Sequence, residues 1–139
     1  MKKPILILTS IALVGLLIWA FQAPKKQEEN GKLQVAASFY PMYFFASQIA
    51  GDKADISVVT PSGTEPHDYE LSAQDLVRLE KSDLIVLNGG IEPWARTVQN
   101  TLKTKAEIIV TAQTSVGGDP HFWLNPFLAK EQAQKITDG

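Results

Sequence analysis

The sequence predicts an α/β fold, a four-stranded parallel sheet with helices on both faces. Three observations carry that prediction. Between Leu33 and Val110 short β-prone runs alternate with amphipathic stretches, strand then helix three times and then a fourth strand. The connections are short, and such alternation is what right-handed crossovers between parallel strands produce. The third strand, Asp83–Leu87, is nearly all apolar, as a strand covered on both faces must be.

Taken in order, Leu33–Ser38 forms the first strand. Pro41–Ala50 forms a helix with proline in its first turn and Gly51 as its stop. Asp55–Thr60 is the second strand, and a loop from Pro61 to Leu71 follows it. Ser72 with Asp75 three residues on makes a capping box that starts a helix over Ala73–Lys81. After the third strand and Asn88-Gly89-Gly90, the next helix opens at Pro93. Trp94, Val98 and Leu102 lie at i, i+4 and i+8 and share its inner face. Glu107–Val110 is the fourth strand, and Thr111–Gly118 a second loop. Asn125 caps and Pro126 opens a last helix through Phe127–Thr137, with Ala129, Ala133 and Ile136 on one face.

The chain of 139 residues is long enough for one modest domain. Its formal net charge of -2 gives no electrostatic reason to expect nucleic acid as a partner. Having no cysteine, it can form neither disulfides nor thiolate metal sites, so any metal must be held by nitrogen and oxygen. Lys2 and Lys3 precede an uncharged run from Pro4 to Phe21, the pattern of an export signal. No small-x-small cleavage site follows, and the run is long enough to span a bilayer. Residues 1–21 are therefore expected to be an uncleaved membrane anchor, with a cleaved signal peptide as the alternative. Residues 22–32 are polar, with Pro24 and Gly31, and read as a tether. The folded part is expected over 33–139, outside the cytoplasmic membrane, in the periplasm or extracellular space.

The chain has two histidines, His67 and His121, and they sit in similar settings. Glu65-Pro66-His67 and Asp119-Pro120-His121 both read acid, proline, histidine. Each proline fixes its own φ and restricts the residue before it. In parallel α/β sheets, ligands bind outside the carboxyl ends of the strands. The loops leaving strands two and four carry the two histidines, so both are expected on one edge. Either histidine alone is ordinary surface or capping chemistry; together they make a candidate site. Imidazole nitrogen suits zinc, while carboxylates completing the shell would also suit manganese. Glu65, Asp68, Glu70 and Asp119 are candidates for ligation or for orienting the imidazoles, their plain alternative being solvated loop charge. Trp94 is expected in the core, and so is Trp123, where it would also fix the His121 backbone.

Four motifs, in this order and spacing, extend beyond the histidines: Ser38-Phe39-Tyr40-Pro41, Gly63-Thr64-Glu65-Pro66-His67-Asp68-Tyr69-Glu70, Asn88-Gly89-Gly90-Ile91-Glu92-Pro93-Trp94 and Asp119-Pro120-His121-Phe122-Trp123-Leu124-Asn125-Pro126. Over Leu33–Gly139 the chain resembles the zinc/manganese solute-binding proteins of ABC importers. That resemblance implies a receptor of two α/β lobes joined by a long helix, which holds a transported Zn2+ or Mn2+ ion between the lobes and passes it to a membrane permease. It makes His67 and His121 metal ligands of the first lobe and leaves a further histidine and a carboxylate to the second. The second lobe is expected to lie outside this sequence, in a longer chain or in a partner. No cysteine is present for the lipid modification common in the family, Thr111–Gly118 lacks the histidine-rich loop of some zinc-specific members, and Asn125 replaces a common aspartate. Two alternatives accompany this non-enzymatic reading. One is a surface adhesin, the other a zinc hydrolase using Glu65 or Asp119 as base, although no His-Glu-x-x-His or serine elbow occurs.

Overall fold

The computed structural model describes residues 31–112 and 118–139. The expected anchor or signal over 1–21, most of the tether and the middle of the second loop lie outside the described residues. Among those described, no helix is long and apolar enough to cross a membrane.

Four strands, β1 (Leu33–Ala37), β2 (Ala54–Val58), β3 (Leu84–Leu87) and β4 (Glu107–Val110), form one sheet in the order β2-β1-β3-β4. Every pairing is parallel. The helices are α1 (Tyr40–Ala50), α2 (Ala73–Glu80), α3 (Ala95–Thr101) and α4 (Pro126–Asp138).

Strand alternation sorts the core into two layers. Val35 and Ala37 of β1 and Val86 of β3 pack with Met42 and Ala46 of α1 and Ile136 of α4. On the other face, Ala36, Ile85 and Leu87 pack with Leu79 of α2 and with Ala95 and Val98 of α3. Successive strand side chains point to opposite faces, so apolar residues at consecutive positions require cover on both sides. Ile85, Val86 and Leu87 are all fully buried.

The helix ends follow local chemistry. Gly51, at φ 57°, stops α1 and returns its N–H to the Ser47 carbonyl, a positive-φ conformation that glycine adopts without a Cβ penalty. Ser72 and Asp75 form the reciprocal capping box at α2. Asn125 caps α4 by accepting the Phe127 N–H at 3.0 Å. Helix α3 begins at Ala95, two residues later than its proline predicts. A turn precedes it, closed by the Ala95 N–H on the Glu92 carbonyl at 3.2 Å, while the Glu92 side chain turns back to accept the Asn88 and Gly89 N–H groups, each at 2.8 Å. Trp94 and Val98 are buried as their spacing predicts.

One polar residue lies buried just past the carboxyl end of each strand: Ser38 after β1, Thr60 after β2, Asn88 after β3 and Thr111 after β4. Backbone bonds continue the ladders through this row, from the Ser38 N–H to Val86, the Thr60 N–H to Ser38 and the Thr111 N–H to Leu87. The row forms a polar floor along the edge where the two long loops meet.

Candidate metal centre

His67 follows an edge strand, β2, and His121 follows the opposite edge strand, β4. Their loops nevertheless converge across the ends of the central strands, bringing the ring centroids to 5.6 Å with the planes 57° apart. Two imidazoles bound to one tetrahedral zinc, with zinc–nitrogen bonds of about 2.0–2.1 Å, have centroids about 5 Å apart. The observed centroid separation is thus close to that of a pair sharing one ion.

Each loop is fixed differently. The His67 loop is anchored downstream, where the Tyr69 hydroxyl donates to the Asp75 carboxylate at 2.7 Å. Asp75 also accepts the Ser72 N–H at 2.9 Å and the Ser72 hydroxyl at 2.6 Å. Burial pushes the Asp75 carboxyl up, but the Ser72 and Tyr69 hydrogen bonds outweigh it and leave the group below its ordinary value. The same contact, chiefly its hydrogen bond to Asp75, raises the Tyr69 hydroxyl. Upstream, Glu65 accepts the His67 backbone N–H at 3.4 Å, a weak bond at the long end of the range, and the residue is exposed.

His121 is held more closely. One oxygen of Asp119, Oδ1, accepts the His121 backbone N–H at 2.9 Å and lies 2.5 Å from the ring Nδ1. These two bonds, the backbone one first, hold the Asp119 carboxyl below the ordinary range. An ionised carboxylate only accepts, so the ring nitrogen facing it is the donor, which leaves Nε2 as the nitrogen available to a metal. Trp123 packs edge-on against the His121 ring at 5.1 Å and against Phe39 at 4.9 Å, joining imidazole to core.

Of the four candidate carboxylates, then, Asp119 bonds an imidazole and Glu65 a histidine backbone. Asp68 and Glu70 bond neither ring among the described residues. Tyr40 is 64% exposed and does not cover the pair. A cleft of about 120 Å³ lies beside the His67 loop, lined by Phe39, Tyr40, Thr60 and Pro66 among others, but contains neither imidazole. The pair itself sits on an open rim. Among the described residues no group of three or more His, Asp or Glu side chains could hold an ion. Two nitrogen donors leave half of a tetrahedral zinc shell to other ligands.

Composition and periodicity gave no sign of the polar bonds beneath the site. Gln132 of α4, fully buried, donates to Asn88 Oδ1 and to Thr111 Oγ1, each at 2.9 Å. Asn88 donates in turn to the Pro120 carbonyl at 3.2 Å. On an amphipathic helix a glutamine reads as solvent-facing. Only its position between Ala129, Ala133 and Ile136, on the inner stripe, marks it as buried.

A parallel α/β sheet with two converging loop imidazoles outside its strand ends belongs to the class of α/β ligand-binding domains. The particular family is the ZnuA family, "Zinc-uptake complex component A periplasmic": its model matches residues 35–139, and the chain belongs to it. The high-affinity zinc uptake system protein ZnuA of Bacillus subtilis (strain 168) is 31% identical, over 78% of this chain and 41% of its own length. The zinc-binding lipoprotein AdcA of Streptococcus pneumoniae serotype 4 is 31% identical, over 99% of this chain and 31% of its own. The Zn(II)-bound ZnuA-like domain of S. pneumoniae AdcA superposes with a TM-score of 0.72 at 36% identity, over 78% of this chain and 43% of that one. The chain thus spans less than half the length of these relatives.

Proposed function

We propose that this chain is the first lobe of an extracytoplasmic solute-binding component of an ABC importer, that it captures zinc as cargo, and that His67 and His121 are the ligands it contributes. The observation carrying the proposal is the approach of the two imidazoles to 5.6 Å from opposite edges of the sheet. Family membership over residues 35–139 supports the same role. Neutral imidazole nitrogens favour zinc over manganese, which prefers oxygen, and the relatives above are named for zinc.

Capture starts at His121, whose Nε2 is aimed by the Asp119 carboxylate and the Trp123 edge. His67, on the looser loop, then swings a short way to close the pair. Water or a second lobe supplies the other positions, and separation of the two halves releases the ion to a permease in the membrane. Two donors alone give weak retention, which suits one half of a site that opens and closes. Residues 1–21 act as a membrane anchor, or as a cleaved export signal in the alternative, and residues 22–32 as a tether, so that the lobe lies outside the cytoplasmic membrane. The hydrolase alternative has no His-Glu-x-x-His or serine elbow in its favour, and the adhesin alternative ranks second because the relatives above are named for zinc uptake and zinc binding.

Isothermal titration with zinc tests the proposal. The unaltered chain is expected to bind one equivalent, and His67→Ala and His121→Ala each to weaken binding by tenfold or more. Unchanged affinity in both variants would remove these residues as ligands.

A further inference from the structure

The Asn88-Gly89-Gly90 turn carries no ligand, yet the second histidine loop rests on it. We propose that this turn is the seat that places His121, with Asn88 and Gln132 as positioning residues acting through the Pro120 carbonyl. The inference rests on the reading of His121 as a zinc ligand.

The seat is built from three directions. From below, the buried Glu92 carboxylate binds the Asn88 and Gly89 N–H groups, one on each oxygen at 2.8 Å, which fixes the turn. From α4, Gln132 donates to Asn88 Oδ1 at 2.9 Å. That bond settles which end of the Asn88 amide is which, because the carbonyl oxygen faces Gln132 and the NH2 must face Pro120. Asn88 Nδ2 then donates to the Pro120 carbonyl at 3.2 Å, across 32 residues of sequence. From above, Pro120 lies on Gly90 so closely that a Cβ at Gly90 would meet the Pro120 Cβ at 2.8 Å. Contacts that short do not persist, so a side chain at Gly90 would lift Pro120 off the turn.

The carbonyl so held belongs to the peptide bond entering His121. Proline limits its own φ, and Asp119 binds the next N–H. With Pro120 O fixed as well, few backbone torsions are left to redirect the imidazole. Asn88 and Gln132 are both fully buried, and their bonds to each other, to Thr111 and to the Pro120 carbonyl use both ends of the Asn88 amide, although Gln132 Oε1 is left without a partner. Among the described residues the peptide bond entering His67 has no comparable side-chain bond from a buried amide, so the seat sets the two histidine loops apart.

Two variants test the seat, Asn88→Ala and Gly90→Ala, each alone and combined with His67→Ala or His121→Ala. Zinc binding is followed by NMR on the histidine ring signals of the full chain. Each seat variant is expected to weaken zinc binding about tenfold, to do so equally in the His67→Ala background, and to change it less than twofold in the His121→Ala background. A residue of general structural importance would instead cost the same in both backgrounds, and that result would overturn the proposal. In the metal-free chain, the contact between the His121 and Trp123 rings is read by nuclear Overhauser effect and is expected to weaken in both seat variants. Its persistence in both would also overturn the seat. Absence of zinc binding in the unaltered chain would overturn the ligand reading instead, with the metal-free measurement still deciding whether the turn positions His121.

Discussion

Replacing Asp119 by Asn separates the two tasks of one oxygen. In the native chain Oδ1 accepts both the His121 backbone N–H, at 2.9 Å, and the ring Nδ1–H, at 2.5 Å. An asparagine keeps an oxygen in place, so the backbone bond and the local turn survive. What is lost is the charge, which fixes the ring tautomer and raises the basicity of Nε2. Carboxylate partners of metal-binding histidines typically contribute 10–100-fold in metal affinity. The Asp119 side chain is 81% exposed, which screens its field and places the expected loss at the low end, about tenfold. Chelator competition with zinc at neutral pH measures it, and thermal unfolding of the metal-free variant checks that the fold is unchanged. The hydrogen bonds to His121 hold the Asp119 carboxyl below the ordinary carboxylate range. Its orienting role is therefore present above that range and is lost only as pH falls through the lowered value. Native affinity in Asp119→Asn would show that the short Nδ1 contact does nothing for the ligand.

Other perturbations bear on the scaffold. Tyr69→Phe removes a hydrogen bond to a charged, buried acceptor and should destabilise the fold by about 1.5 kcal/mol in urea unfolding at pH 7. The Tyr69 hydroxyl is raised in the fold, so its contribution is full below the unfolded tyrosine value of about 10 and fades as pH rises through the folded value. Asp75 is lowered, so the stability it confers is present above the unfolded value of about 3.9 and lost as pH falls through the folded value. The gap in midpoint between the native chain and Asp75→Asn should accordingly narrow in acid. Ser72→Ala removes the α2 cap and should cost about 1 kcal/mol in the same unfolding assay. Leu79→Ala empties a fully buried position on the α2 face and should cost about 2–5 kcal/mol, read as a lower urea midpoint.

The alternation of elements was legible because each left a local mark: the apolar run of β3, the Ser72 and Asp75 box, the Trp94 and Val98 stripe. Strand order was not, since β2-β1-β3-β4 depends on which faces the helices choose and not on any one segment. Placing both histidines at the carboxyl edge followed from parallel topology alone. That the loops from opposite edges lean inward to meet did not, because Tyr69 reaching Asp75 and Pro120 resting on Gly90 are long-range contacts. The role of Glu92 left no local mark, since its carboxylate serves the turn before α3 and not the helix. Gln132 and Asn88 were missed for a related reason. A polar residue announces burial only through its partners, and those lie 44 residues apart.

The claim that one ion joins His67 and His121 is tested most directly by titrating zinc into the chain while following both imidazole rings by NMR. The expected result is that the two sets of ring signals move together and saturate at one equivalent. Signals that respond separately, or that need a second equivalent, would mean that the two histidines do not share an ion.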